Sequence, residues 1–188
     1  MKKVILFLVL LLTLCVVLGL AGCTTPPLTL TLTYAVGDTG PAGGLIFYDK
    51  GSYSDGWRYL EAAPSDQSTG IQWYNGNHVV TGATGTAIGT GQANTTAIVA
   101  IQWAGSYAAQ LCNDLIVGGY NDWFLPSKDE LNKLYINRDA IGGFAVAYYW
   151  SSSEGNANVA WLQGFGSGNQ YFYYSKMYAY RVRAVRAF

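Results

Sequence analysis

The sequence predicts a domain of the α+β class from three observations. Strand patterns open the folded part at residues 45–48 and 57–62. Two helical patterns occupy its middle, and from Ala147 the pattern returns to strands at 148–152, 159–165, 171–175 and 182–188. With 188 residues, 51% hydrophobic and 12% charged, the chain has the length and apolar content for one core plus a targeting segment, and its composition argues against disorder.

The first residues carry an address. Met1-Lys2-Lys3 is basic, residues 4–18 are almost wholly apolar, and Leu20-Ala21-Gly22-Cys23 follows. About 20 apolar residues can span a bilayer, so an uncleaved transmembrane helix is the alternative to a secretion signal over residues 1–22. The cysteine decides for the signal, because Leu-Ala-Gly-Cys resembles the lipobox of bacterial lipoproteins. That resemblance implies cleavage before Cys23, a thioether-linked diacylglycerol on it and acylation of its new amino group. Three acyl chains exceed the roughly two signals that stable anchoring needs, so the expected partner at this end is a membrane. Loss of Lys2 and Lys3 leaves nine basic against eleven acidic side chains, which offers no basic footprint for nucleic acid. Cys112 is then the one cysteine of the folded part, and no internal disulfide can form.

Residues 23–33 read as the lipidated cysteine and a tether, and 34–188 as the domain. In the tether Leu28, Leu30 and Leu32 alternate with Thr, which is also a strand pattern. The turn-rich run 37–44 leads into the strand 45–48, which Asp49-Lys50-Gly51 is expected to end, and 57–62 completes a hairpin. Residues 82–91 are too rich in glycine for helix or strand, and they lack the Gly-Lys-Ser/Thr of a phosphate cradle. A first helix is expected from Thr95 or Thr96 to Ile116, with Ile98, Ile101, Gly105, Ala108, Cys112 and Leu115 on one face and Gly118-Gly119 as its cap. Cys112 in that stripe reads as a small buried hydrophobe. The second helix opens on Ser127-Lys128-Asp129-Glu130, the spacing of a capping box, and turns Leu131, Leu134 and Tyr135 to the core. Gly166-Ser167-Gly168-Asn169 reads as a short hairpin turn.

The last forty residues differ in kind. Between Trp150-Ser151-Ser152-Ser153-Glu154 and Arg181-Val182-Arg183-Ala184-Val185-Arg186 lies a segment built mainly of Gly, Asn, Tyr, Phe and Ser. Aromatic rings give large contact area at low rotamer cost and small polar residues give adaptable hydrogen bonds, the composition of a binding paratope. The competing reading is an ordinary strand, since aromatics favour strands, but alternation leaves about half of Tyr171, Phe172, Tyr173 and Tyr174 exposed even so.

With Trp123-Phe124-Leu125-Pro126-Ser127-Lys128-Asp129-Glu130-Leu131, Tyr149-Trp150-Ser151-Ser152-Ser153-Glu154, Ala160-Trp161 and Val182-Arg183-Ala184-Val185-Arg186 in this order, the chain resembles the family named for the C-terminal domain of a bacterial collagen-like adhesin. The resemblance implies a C-type-lectin-like fold of the formylglycine-generating-enzyme subtype, with two helices packed on twisted antiparallel sheets. It also implies that residues 45–48 pair with 182–188. The tail further resembles variable proteins of diversity-generating retroelements. That likeness points to Tyr171, Phe172, Tyr173, Tyr174, Ser175, Tyr178, Ala179 and Tyr180 as variable positions, with Leu162 and Gly164 compatible. The expected ligand-binding set is therefore Leu162, Gly164, Tyr171, Phe172, Tyr173, Tyr174, Tyr178 and Tyr180, facing an extracellular protein or glycan.

Other chemistries find less support. Arg181, Arg183 and Arg186 suit a sulfated polysaccharide, but a slightly acidic domain favours arginines paired with Asp or Glu. The related formylglycine-generating enzymes use cysteine and a metal, whereas this domain has one cysteine on an apolar face and one histidine, His78. A carboxylate pair for glycoside cleavage stays open. Asn121-Asp122 and Glu154 are rich in oxygen, yet the Glu-Pro-Asn and Gln-Pro-Asp sequences of calcium lectins are absent, so Asn121-Asp122 reads as a turn and no cofactor is expected. For the anchor, Cys23→Ser is expected to release or mislocalise the protein. Fractionation with mass spectrometry of the N-terminal peptide checks this, and an intact Met1 start without lipid mass refutes it.

Overall fold

The computed structural model describes residues 32–188, so the signal, Cys23 and most of the tether lie outside the described residues. Tyr34–Phe188 forms one unit of mixed strands and helices. Its elements are β1 (Leu45–Ser54), β2 (Trp57–Ala62), β3 (Ser68–Ile71), α1 (Gly91–Gln102), α2 (Ala108–Asn113), α3 (Lys128–Ile136), α4 (Arg138–Ile141), β4 (Tyr148–Glu154), β5 (Val159–Gly164), β6 (Gln170–Ser175), β7 (Tyr180–Val182) and β8 (Val185–Ala187). None of the described helices is long and apolar enough to cross a membrane.

β1 and β2 form the expected hairpin, but β1 runs on to Ser54. The turn is Asp55-Gly56, both at positive φ (53° and 85°), the left-handed pair that a two-residue type I′ turn requires. Asp49-Lys50-Gly51 is a bulge within the strand, where Asp49 takes both nitrogens of a bidentate Arg58 at 2.8 and 2.9 Å.

The small sheet has the order β1-β2-β8, so β2 stands between the first and last strands and the expected direct pairing of 45–48 with 182–188 does not form. The expected last strand is in fact two. β7 lies in the five-stranded sheet β3-β7-β4-β5-β6, parallel to β4, and β8 lies in the small one. Arg183-Ala184 carries the chain from one sheet to the other.

The expected first helix is also two. Asn75 ends α1 by donating its side-chain amide to the Gln102 carbonyl, and its backbone N–H is received by Gln102 Oε1 at 3.2 Å. Trp103 then turns to φ 62°, and the chain re-enters helix at Ala108, whose N–H reaches the Gln72 carbonyl at 2.9 Å. Ile101 is consequently exposed, and α1 buries Asn94, Thr95, Ile98 and Gln102 instead of a purely apolar stripe. Gly118-Gly119 lies past the end of α2, in a turn closed by Val117 and Tyr120, and caps no helix. Cys112 is buried as expected, and loss of water pushes its thiol well above the usual range.

β4 is covered on both faces. Trp150 enters a core with Trp73, Ile98, Tyr107, Cys112, Trp123 and Leu162, while Tyr149 enters a second with Phe47, Leu60, Leu131, Leu134 and Phe165. Ser151, Ser152 and Ser153 are fully buried between them and hold neighbouring segments by hydrogen bonds: Ser153 Oγ donates to the Gly85 carbonyl at 2.7 Å and accepts from the Lys128 N–H at 2.9 Å.

The capping box of α3 forms in full. The Glu130 N–H donates to Ser127 Oγ (3.3 Å), and the Ser127 N–H donates to Glu130 Oε2 (2.7 Å). Glu130 also accepts the Gly89 N–H at 2.8 Å, so it binds the glycine loop to the helix. Ser127→Ala is expected to cost about 1 kcal/mol through loss of the cap. Glu130→Gln places an amide donor where N–H groups converge and is expected to cost about 1–3 kcal/mol. Urea unfolding of the two variants checks both values, and a Glu130→Gln midpoint equal to wild type refutes the clamp.

Candidate functional site

The tail lies on the edge of the large sheet, because β6 is its last strand and among the described residues pairs only with β5. The register runs Ala160↔Tyr174 and then Leu162↔Tyr171, so β6 holds one residue more than β5 over this stretch. That bulge breaks strict alternation and turns Tyr171 and Tyr174 to the side of Ala160, Leu162 and Trp150. Tyr148 on β4 and Tyr180 on β7 meet them there. Tyr148 lies 5.9, 5.6 and 5.5 Å from the rings of Tyr171, Tyr174 and Tyr180. These four rings are half-buried and pack on the first core.

A second layer stands on the first. Tyr173 stacks on Tyr174 at 5.4 Å, and Tyr178 meets Tyr180 at 6.1 Å. Tyr173 is 61% and Tyr178 52% exposed, in contrast to the rings beneath them. Phe172 is 54% exposed but packs on Trp161, which in turn takes the Lys128 ammonium over its face. The Tyr174 hydroxyl is pushed up to about 12, first by its hydrogen bond with Tyr148 and then by burial, and the Tyr180 hydroxyl is raised by burial. These two phenols therefore stay neutral at physiological pH.

The loop between β6 and β7 is fixed by a residue to which sequence gave no clue. Lys176 is wholly buried between half-buried Ser175 and exposed Met177, with its ammonium 2.5 Å from Glu154 and 4.3 Å above the Trp73 ring. Glu154 also accepts the Thr81 and Gly82 N–H groups, and Lys176 donates to the Val79 carbonyl at 3.2 Å. Burial pulls the lysine below its usual range against the raising effect of Glu154. The ion pair thus ties the tyrosine loop to residues 79–82.

The structure brings Tyr171, Tyr173, Tyr174, Tyr178 and Tyr180 together and adds Tyr148, which sequence had read only as a strand residue. Of the other three expected residues, Phe172 stands beside Tyr173 at 5.5 Å but packs on Trp161, and the remaining two are not brought in. Leu162 is 1% exposed and opposes Trp150 inside the first core. Gly164 is buried against Tyr148 and Ser167, so neither presents a side chain to a ligand. Trp161, between Ala160 and Leu162 on β5, is only partly buried. The arginines are paired, as their acidic surroundings suggested. Arg181 and Arg183 share Asp66 at 2.9 and 2.8 Å, and Arg186 holds Asp122 at 2.8 Å and Glu61 at 3.1 Å. Two clefts, of about 430 Å³ beside Phe144 and about 480 Å³ beside Leu115, lie away from the tyrosines, which offer a surface and not a pocket.

In comparison with known proteins, the family model described as the Lcl C-terminal domain, an adhesin-like surface domain, matches residues 63–186. No curated protein matches the chain.

Removing one member of a buried ion pair strands the other and costs about 3–5 kcal/mol. Lys176→Met is expected to lie in that range, and Lys176→Met with Glu154→Gln to recover part of the loss. Thermal unfolding of the single and double variants checks this. A double variant as unstable as the sum of the singles refutes the coupling.

Proposed function

Since the chain belongs to the Lcl C-terminal domain family, we propose that it is a surface-displayed binding domain whose extracellular ligand, a protein or a glycan, docks on the tyrosine surface. The observation that carries this reading is the layering of that surface. Exposed Tyr173 and Tyr178 stand on half-buried Tyr174 and Tyr180, which rest on the core. Rings held in this way lose little freedom on binding, which is the advantage of a preorganised aromatic contact.

The C-type-lectin-like fold, the lipid anchor on Cys23 and attachment to a bacterial membrane belong to the same proposal. Support for the fold comes from the family and from the two sheets joined through the tail. A non-catalytic role accords with the buried, protonated Cys112 and with His78 packed on Tyr74 at 4.7 Å. Retroelement diversification is part of the proposal too, supported by the residue types at positions 172, 173, 178 and 179. A reverse transcriptase gene beside a near-copy of the segment encoding residues 150–188 is its test.

Tyr173→Ser and Tyr178→Ser are expected to weaken ligand capture while changing stability by under about 0.5 kcal/mol each, as surface replacements do. Trp150→Ala is expected to cost about 3–5 kcal/mol. Calorimetric unfolding beside binding to arrayed host glycans and surface proteins separates the two. If the tyrosine variants bind every captured ligand as wild type does, the surface is not the site.

A further inference from the structure

Outside the tail, Trp103 is an anomaly on two counts. Its side chain is 76% exposed, and its backbone stands at φ 62°, ψ −178°, a region that is essentially the preserve of glycine. Nothing in the packing asks for tryptophan there, since a glycine would relieve the backbone and uncover little. A strained position that keeps a large exposed ring is accounted for by what the ring touches outside the molecule.

Residues 72–77 join Trp103 to the tyrosine surface. Gln72 donates its amide to the Met177 carbonyl at 3.0 Å, next to Tyr178, and Asn75 holds Gln102, next to Trp103. Three residues of chain span at most about 10 Å, and with a hydrogen-bonded side chain and one further residue at either end Trp103 and Tyr178 stand no more than about 30 Å apart, a span that one extended polymer chain covers. The charged groups along this path are engaged. Lys176 is buried on Glu154 and Arg181 is held by Asp66. Asp114, linked to Trp103 through Gln110 and Tyr107, adds a carboxylate that repels anions. Of the exposed groups that remain, Met177 and His78 aside, the rings, amides and hydroxyls stack on sugar faces and hydrogen-bond their hydroxyls. A protein partner needs about 800 Å² on its side, far more than a strip of separated rings supplies.

We propose that Trp103 and the Tyr173–Tyr178 surface form one elongated site for a linear, uncharged polysaccharide, with Trp103 as its outer stacking platform. This rests on the tyrosine surface being the binding site and adds the ligand class and a residue beyond the tail. Binding then depends on chain length and not on salt, because no counterion is displaced.

The test uses the full chain, wild type and Trp103→Gly, with Tyr173→Ser as reference. Retention is measured on mannan, xylan and dextran and on heparin and dextran sulfate, at low and high salt, followed by titration with short and long oligosaccharides of the polymer that binds. Wild type is expected to bind at least one neutral polymer with the same affinity at both salt concentrations. Trp103→Gly is expected to lose about tenfold in affinity for long chains and little for short ones, while its melting temperature rises by a few degrees as the backbone relaxes. Binding to the sulfated polymers alone, or to none of the neutral ones, overturns the proposal. So does a Trp103→Gly variant that binds long chains as wild type does. Loss of neutral-glycan binding in Tyr173→Ser but not in Trp103→Gly would overturn this inference and leave the tyrosine site standing; the reverse pattern would reject the tyrosine site.

Discussion

Three buried glutamates hold the irregular half of this domain in place. Glu61 accepts the Ala42 and Gly44 N–H groups, Glu130 those of Ser127 and Gly89, and Glu154 those of Thr81 and Gly82. Glycine-rich segments have few side chains to bury and no ladder to join, so their backbone donors need partners from elsewhere. A carboxylate offers several acceptor sites at one point and can gather two or three such donors at once. The geometry demands glycine in return. A Cβ on Gly91 would come within 2.2 Å of the Glu130 carboxylate, and one on Gly40 within 2.5 Å of Glu61. Two of the three charges have cations, Arg186 and Lys176, and both cations belong to the tail. Glu130 has only neutral donors, and burial raises it above the usual carboxylate range.

The tail is thereby fastened at points that alternate with its free surface. Arg183 gives one nitrogen to Asp66, one to the Ala63 carbonyl and one to the Gly143 carbonyl, and so joins the crossing between the sheets to two other segments. Lys176 fastens the loop before it, and the buried serines of β4 fasten the strand on which β5 and β6 are built. A segment with the composition of a loop is placed with the precision of a core element. That combination suits recognition, because the contact rings are ordered before any ligand arrives.

What could be read from the sequence was local. The capping box of α3 needs only four residues, and it formed as the spacing required. The burial of Cys112 and the pairing of the arginines followed from one apolar stripe and one charge balance. Misreadings arose where a distant group decides. Asn75 breaks the helix expected over 95–116, and nothing within that stretch announces it. β2 inserts between the first and last strands, which no period in either of them encodes. Leu162 and Gly164 were included for their residue types, yet the face a strand residue occupies depends on its neighbour's register, and that register sets them against Trp150 and Tyr148. The buried Lys176 is the clearest case, since lysine between serine and methionine in a loop-like run reads as solvated until Glu154 is seen beneath it.

The layering also limits which tail positions are free to change. Tyr171, Tyr174 and Tyr180 share contacts with Tyr148 and lie on the first core, so replacing one with a small residue opens a gap that the other rings cannot all fill. Tyr173, Met177, Tyr178 and Ala179 have no such burden, being exposed and set on a support that remains when they are altered. Lys176 interrupts this permissive run, because its loss leaves buried Glu154 without its partner. Any variation that keeps the fold is therefore confined to positions on either side of the lysine, and the exposed aromatic surface can change in chemistry while its supporting rings and its fastening stay constant.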